Sequence, residues 1–172
     1  LKYYSVKKKI GYIGMAQYEY RWGRPKDDYF SDVQEANKRQ RAVFSESFDV
    51  IQRLIDMVTP YTEAGIGVAR EGDREYYAGI IRQASEGVDL HADYAPFNSP
   101  TYSIKDISAQ LGWNYYAEEL VEGGVTTVYN APWSPVMDSD EPPQSYNLPR
   151  DVVAGANTFS FTPDAGDVVI FN

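Results

Sequence analysis

The chain has 172 residues, 43% of them hydrophobic and 24% charged, a composition typical of a globular protein that buries one core. The formal net charge is −9 and the only basic run is Lys7 to Lys9, which argues against a nucleic-acid partner. There are no cysteines, and we expect neither a signal peptide nor a transmembrane helix, so the expectation is a soluble, by default cytoplasmic protein.

The first predicted elements are a short strand and a long helix. A strand near Tyr12 to Met15 stands in an otherwise irregular segment. Ser31 and Gln34 have the spacing of a capping box, and apolar residues then recur at helical spacing as far as Pro60. This pattern predicts an amphipathic helix, either continuous or broken near Ser45 to Ser47.

Short strand-like segments follow the helix, each rich in β-branched or aromatic residues and bounded by Gly, Pro, Asn or Asp. They are Tyr76 to Gln83, Val88 to Asp93, Trp113 to Glu118, Val125 to Asn130, Thr158 to Phe161 and Asp167 to Phe171. Their number and length are typical of a β-sandwich or barrel. Gly123 and Gly124 predict a tight hairpin, and the proline-rich segment 131–156 predicts a long loop that acts as a lid.

The only histidine, His91, stands two residues before Asp93. On a strand, residues i and i+2 project from the same face, so both side chains would point into a barrel. An imidazole and a carboxylate placed in this way are two of the three ligands of a facial triad, which leaves three metal positions open. The spacing alone is a weak signal, because most single histidines are structural or surface groups.

Further motifs surround this pair in a characteristic order. They are Ile81-Arg82, Glu86-Gly87, Gln110-Leu111, Tyr115-Tyr116, Gly123-Gly124, Val128-Tyr129-Asn130, Trp133 and the run from Ala165 to Asn172. Together with His91-Ala92-Asp93 they resemble the Fe(II)- and 2-oxoglutarate-dependent oxygenases over roughly residues 76–172. Within that family the resemblance is to freestanding hydroxylases and halogenases that act on alkaloids and N-substituted amino acids.

The resemblance implies a fold and a domain organisation. The fold is mainly β with a flanking helix, and its core is a double-stranded β-helix of the jelly-roll or cupin-like kind. Residues 1–172 would form a single oxygenase domain, incomplete at both termini, with 1–75 as helical or irregular support and 76–172 as the core. The family's second histidine and its 2-oxoglutarate-binding arginine follow the last strand, so we expect both after Asn172.

The resemblance also implies a reaction. Fe(II) would be bound by His91 and Asp93, and 2-oxoglutarate and O₂ would fill the open positions. An unactivated C–H bond of a small molecule would be hydroxylated while 2-oxoglutarate is decarboxylated to succinate. Halogenases of this group have Gly or Ala in place of the carboxylate, so Asp93 favours hydroxylation.

Seven further residues are candidates for binding, and each has a structural alternative. Arg82, Tyr115 and Tyr129 are candidates for contacts to the substrate or cosubstrate, although Arg82 can equally form an ion pair with Glu86. The predicted substrate pocket contains Tyr94, Phe97, Trp113 and Trp133, with Tyr102 in the same loop as Phe97. Ordinary packing is the alternative for all of these aromatic residues.

Three other interpretations remain open on the sequence. The first is a cupin-type metal enzyme without 2-oxoglutarate, although cupins usually have more histidines. The second is a β-sandwich that binds carbohydrates or other small molecules, although such modules rarely carry a long helix. The third is a degenerate, non-catalytic oxygenase.

Overall fold

The computed structural model describes residues 2–3, 10–20, 23–84, 87–119, 122–134 and 147–172. These residues form small antiparallel strand pairs and a few helices, none of them long and apolar enough to cross a membrane. The chain divides into two compact units: unit 1 contains residues 1–86 and 95–106, and unit 2 contains residues 87–94 and 107–172. The single oxygenase domain stays a prediction.

Two consecutive helices, α1 (Lys26–Ser45) and α2 (Val50–Val58), belong to unit 1. The chain leaves helical geometry between them, and the Asp49 carboxylate accepts hydrogen bonds from two backbone N–H groups of the next turn, at 2.9 and 3.0 Å. The predicted break is therefore confirmed. The predicted cap at Ser31 is wrong, because α1 already begins at Lys26 and Ser31 lies inside it.

A three-stranded antiparallel sheet also belongs to unit 1, in the order β1 (Lys2–Tyr3), β2 (Ile10–Ile13) and β5 (Ile81–Ala84). A separate short hairpin contains β3 (Arg70–Glu71) and β4 (Arg74–Glu75). The strand predicted at Tyr12 to Met15 corresponds to β2, which begins and ends two residues earlier, at Ile10 and Ile13.

The strand predicted from Tyr76 forms only from Ile81 onward. The reason is a turn at Gly79, which has a φ of 75°. The buried Gln40 side chain of α1 donates to the carbonyl oxygens of Ala78 and Gly79 at 2.8 and 2.7 Å. These carbonyl groups are therefore bound to the helix and do not pair within a sheet.

The core of unit 1 is largely aromatic. Its buried members are Met15, Tyr20, Tyr29, Phe30, Val33, Ala36, Tyr76 and Tyr102. Tyr29 is 1% exposed and packs edge-on against Tyr20, Phe30 and Tyr102, with ring centroids 5.0 to 5.6 Å apart. Such edge-to-face pairs add stability beyond the area they bury.

Unit 2 contains two antiparallel strand pairs. β6 (Gly112–Tyr115) pairs with β9 (Val168–Phe171), and β7 (Thr126–Tyr129) pairs with β8 (Thr158–Phe161). Three of these strands, β7, β8 and β9, lie within their predicted bounds, whereas β6 begins one residue before the predicted start at Trp113. The hairpin predicted at Gly123 and Gly124 is wrong in its pairing, because β6 and β7 each pair with a later strand.

The strand predicted from Val88 to Asp93 is not formed; these residues are irregular. The carbonyl oxygen of Leu90 accepts a hydrogen bond from the N–H of Leu148 at 2.7 Å, but no ladder develops along the described residues 87–94. In the predicted loop 131–156, a 3-10 turn spans Arg150–Val153. The middle of that loop, residues 135–146, lies outside the described residues.

The short α3 (Ala95–Asn98) and the segment that follows it belong to unit 1. For Tyr102 the sequence left two roles open, a place in the pocket loop with Phe97 or ordinary packing. The structure shows packing: Tyr102 is 2% exposed in the core of unit 1, and its ring packs against Tyr29, Phe30 and Tyr76.

Candidate functional site

The predicted metal ligands His91 and Asp93 lie side by side in unit 2 although their segment is not a strand. His91 Nε2 and Asp93 Oδ2 are 3.9 Å apart. The imidazole is mostly buried, with 29% of the side chain exposed, whereas the Asp93 carboxylate is 63% exposed. The pair therefore combines an ordered histidine with a more accessible carboxylate.

The orientation of the His91 ring is fixed by its own backbone segment. Nδ1 lies 2.7 Å from the carbonyl oxygen of Asp89, and a carbonyl oxygen only accepts hydrogen bonds. Nδ1 therefore carries the hydrogen, and in the neutral ring the lone pair for a metal lies on Nε2, the atom that faces Asp93. Metal-binding histidines commonly have this arrangement, in which the second ring nitrogen donates to a carbonyl or carboxylate group.

The pair fits a divalent metal ion by donor type and by reach. With metal–ligand bonds of about 2.1 Å, one ion can contact two atoms up to about 4.2 Å apart, and neighbouring positions of an octahedron need about 3 Å. The observed 3.9 Å lies within that reach, so a modest rotation of Asp93 would bring both atoms to one ion. Among the described residues, no group of three or more His, Cys, Asp or Glu side chains has metal-binding spacing.

Two aromatic residues predicted for the pocket form a stack in unit 2. Tyr94, which directly follows Asp93, packs face to face on Trp133 with ring centroids 5.0 Å apart and an interplanar angle of 26°. Both side chains are partly buried. The stack therefore connects the segment of the metal pair with the chain that leaves β7.

The other candidates of unit 2 lie on its strands. Trp113 and Tyr115 share the more buried face of β6, whereas Asn114 between them is exposed. Tyr129 ends β7, and its hydroxyl oxygen is 3.5 Å from Nη1 of Arg150. Arg150 was not among the residues predicted from the sequence. The feature that could have identified it is that residues 87–94 and 107–172 contain no other Lys or Arg.

Arg82 and Phe97 belong to unit 1 and not to the unit that carries the metal pair. Arg82 lies on β5, opposite Tyr12 of β2, and is exposed. Its predicted partner Glu86 lies outside the described residues. Phe97 lies in α3 and is partly buried. The role of both residues stays a prediction.

Two curated proteins are similar to this chain. It is 34% identical over 169 residues to the leucinostatins biosynthesis cluster protein S of Purpureocillium lilacinum, which covers 95% of this chain and 68% of that protein. It is 27% identical over 148 residues to the L-gamma-glutamyl-L-propargylglycine hydroxylase of Streptantibioticus cattleyicolor, covering 85% of this chain and 54% of that protein. No family model and no solved structure matches the chain.

Proposed function

Because the chain belongs to the same protein family as the leucinostatins biosynthesis cluster protein S, we propose that it is a biosynthetic hydroxylase dependent on Fe(II) and 2-oxoglutarate. The proposed reaction hydroxylates an unactivated C–H bond of a small molecule, with O₂ as the oxidant. The name of the second relative, a hydroxylase, supports the reaction type. The observation that carries the proposal is the His91–Asp93 pair, with its ring orientation set by Asp89.

In this proposal the chain's own residues bind and orient the reactants. His91 would bind the metal through Nε2, and the hydrogen bond from Nδ1 to the Asp89 carbonyl group keeps the ring from turning away. Asp93 would bind through a carboxylate oxygen, which favours hydroxylation over halogenation. When bound, Fe(II) and 2-oxoglutarate supply the oxidising chemistry that no protein side chain provides.

The surroundings of the pair have a supporting role. The Tyr94–Trp133 stack places two large rings in the segments next to the metal ligands, where they can exclude water and contact an apolar part of the substrate. The strand pairs β6–β9 and β7–β8 support a double-stranded β-helix as the proposed core. The proposal also needs a third metal ligand and an arginine for 2-oxoglutarate.

The proposal is tested in the full-length protein by anaerobic titration with Fe(II) and 2-oxoglutarate. We expect the weak visible metal-to-ligand band of that complex in the wild type. His91→Ala should weaken metal binding by at least about a hundredfold, because even the loss of a group that only orients a ligand costs about 10- to 100-fold. Asp93→Ala should weaken it as well. Asp164→Asn, which changes an exposed carboxylate elsewhere in unit 2, is the matched control and should behave as the wild type.

A second measurement separates an enzyme from a binding protein. Succinate formation under O₂ is followed with L-gamma-glutamyl-L-propargylglycine as the first probe substrate, because this compound appears in the name of one relative, a hydroxylase. Iron-dependent succinate that disappears in His91→Ala supports the proposal. A wild type without the band and without iron-dependent succinate would contradict it, and a non-catalytic oxygenase or a small-molecule-binding module would replace it.

A further inference from the structure

Arg150 is the only Lys or Arg in the sequence of unit 2, and we propose that it binds a carboxylate group of the substrate. The proposal rests on the hydroxylase function above and names the class of substrate, a small organic acid. Residues 87–94 and 107–172 contain eleven Asp and Glu but no Lys or Arg other than Arg150. An acidic ligand bound in this unit therefore has one arginine available as a counter-charge.

The backbone connects Arg150 with the segment of the metal pair. The hydrogen bond from the N–H of Leu148 to the carbonyl oxygen of Leu90 is 2.7 Å long. His91 follows Leu90 directly, and Arg150 follows Leu148 by two residues. The Arg150 side chain is exposed, so its guanidinium group is accessible to a ligand that binds beside this segment.

The turn at Arg150 is ordered by local hydrogen bonds. Pro149 has a φ of −66°, and its carbonyl oxygen accepts from the N–H of Val152 at 3.3 Å. The carbonyl oxygen of Asp151 accepts from the N–H of Ala154 at 3.1 Å. A side chain that starts from an ordered turn loses less conformational entropy when it binds a ligand.

The hydrogen bond that the Arg150 guanidinium group makes in the structure leaves this group able to bind an anion. Its Nη1 donates to the Tyr129 hydroxyl group over 3.5 Å, a long contact to a neutral partner, and Arg150 forms no ion pair within the described residues. The planar guanidinium group binds a carboxylate through two parallel hydrogen bonds. Tyr129 belongs to the same segment as Trp133, which stacks on Tyr94, so the arginine, the stack and the metal pair lie on connected segments.

The experiment is calorimetric titration of the full-length protein without iron, using N-acetyl amino acids with aliphatic, aromatic and polar side chains. Each acid is compared with its carboxamide, which has nearly the same shape and no charge. We expect the wild type to bind at least one acid about tenfold or more tightly than its amide, as a charge-assisted pair predicts. Arg150→Gln should abolish this preference, and Arg150→Lys should keep part of it, because lysine offers a point charge without the fork.

Arg41→Gln is the matched control, because Arg41 is an exposed arginine of α1 in unit 1. It should keep the wild-type preference. The proposal is wrong if the wild type prefers no acid over its amide, or if Arg150→Gln keeps the preference.

The carboxylates of 2-oxoglutarate have the same chemistry as the proposed ligand, so 2-oxoglutarate is titrated in parallel. A loss of 2-oxoglutarate binding in Arg150→Gln, with the acid preference unchanged, would overturn the assignment to the substrate. Because these titrations contain no iron, they do not depend on turnover. A protein that binds acids through Arg150 but shows neither the visible band nor iron-dependent succinate would contradict the hydroxylase function and leave the carboxylate site in place.

Discussion

Glu71 connects four parts of unit 1 at the level of a single residue. Its carboxylate accepts hydrogen bonds from Lys26 Nζ at 2.5 Å, the Tyr76 hydroxyl group at 2.7 Å, the backbone N–H of Ser103 at 2.8 Å and Arg74 Nη2 at 3.4 Å. Partial burial by itself raises the pKa of Glu71. The hydrogen bonds from Lys26, Ser103 and Tyr76 outweigh it and lower the pKa to about 2.

This contact predicts an acid-dependent loss of stability. Since the folded-state pKa lies below the unfolded value of 4.5, the ionised Glu71 stabilises the fold above pH 4.5, and the stabilisation is lost as the pH falls towards about 2. Glu71→Gln should lower the free energy of unfolding at pH 7 by about 2 kcal/mol, as expected for hydrogen bonds to a charged group. It should also flatten the dependence of stability on pH in that window. Urea denaturation at several pH values measures both effects.

Glu75→Gln is the control for Glu71. Glu75 lies on the adjacent strand β4, and its ion pair with Arg70, at 3.2 Å, has both side chains about half exposed. An exposed pair of this kind contributes less than about 1 kcal/mol. An equally steep decline of stability with acid in Glu71→Gln and in the wild type would refute the role of Glu71.

His91 and Asp93 show what the sequence can predict about single residues. Their proximity was predicted from strand geometry, and their side chains are close even though the strand is not formed, because residues two apart in sequence stay near each other in an irregular segment as well. The hydrogen bond to the Asp89 carbonyl group could not be predicted, because it depends on the irregular backbone path. The packing partners of Tyr102 could not be predicted for a related reason: its position in a loop does not reveal which rings it packs against.

The start of α2 gives a prediction at the level of secondary structure. The apolar residues of this helix are at best partly buried, so tertiary packing contributes less to it than to α1. We therefore expect the Asp49 cap to matter. Asp49→Ala removes the acceptor for the N–H groups of Ile51 and Gln52 and should cost about 1 kcal/mol, with faster amide exchange at the start of α2.

Asp49→Asn is the matched control, since an asparagine side chain accepts the same hydrogen bonds without the charge. It should retain most of the stability. If both variants exchange their α2 amides as slowly as the wild type, packing and not the cap determines where this helix begins.

The strands differ in how well the sequence predicts them. The segments 158–161 and 168–171 were predicted almost to the residue, because each consists mostly of β-branched and aromatic residues and has Pro or Asn within two residues of its end. Their partners could not be predicted in the same way. Pairing of β6 with β9 and of β7 with β8 joins distant parts of the chain, and local patterns contain no information about such partners.

The distribution of charge is a property of the whole molecule that the overall composition hides. Unit 1 contains fifteen Lys and Arg and fourteen Asp and Glu, so its formal charge is +1. Unit 2 contains one Arg and eleven acidic residues, so its formal charge is −10. The net charge of −9 therefore comes from the unit that carries the candidate metal pair, where it also favours the binding of a divalent cation.

This asymmetry predicts that salt stabilises the two units unequally. Repulsion among like charges destabilises a compact state, and salt screens it because the Debye length falls from about 30 Å at 0.01 M to about 10 Å at 0.1 M. Hydrogen exchange measured across this range of NaCl should show slower exchange at high salt in β6 to β9, and little change in β2 and β5. Chloride is the appropriate salt, because sulfate strengthens apolar burial in every part of a protein. Equal responses of the two sets of strands would mean that charge repulsion does not limit the stability of unit 2.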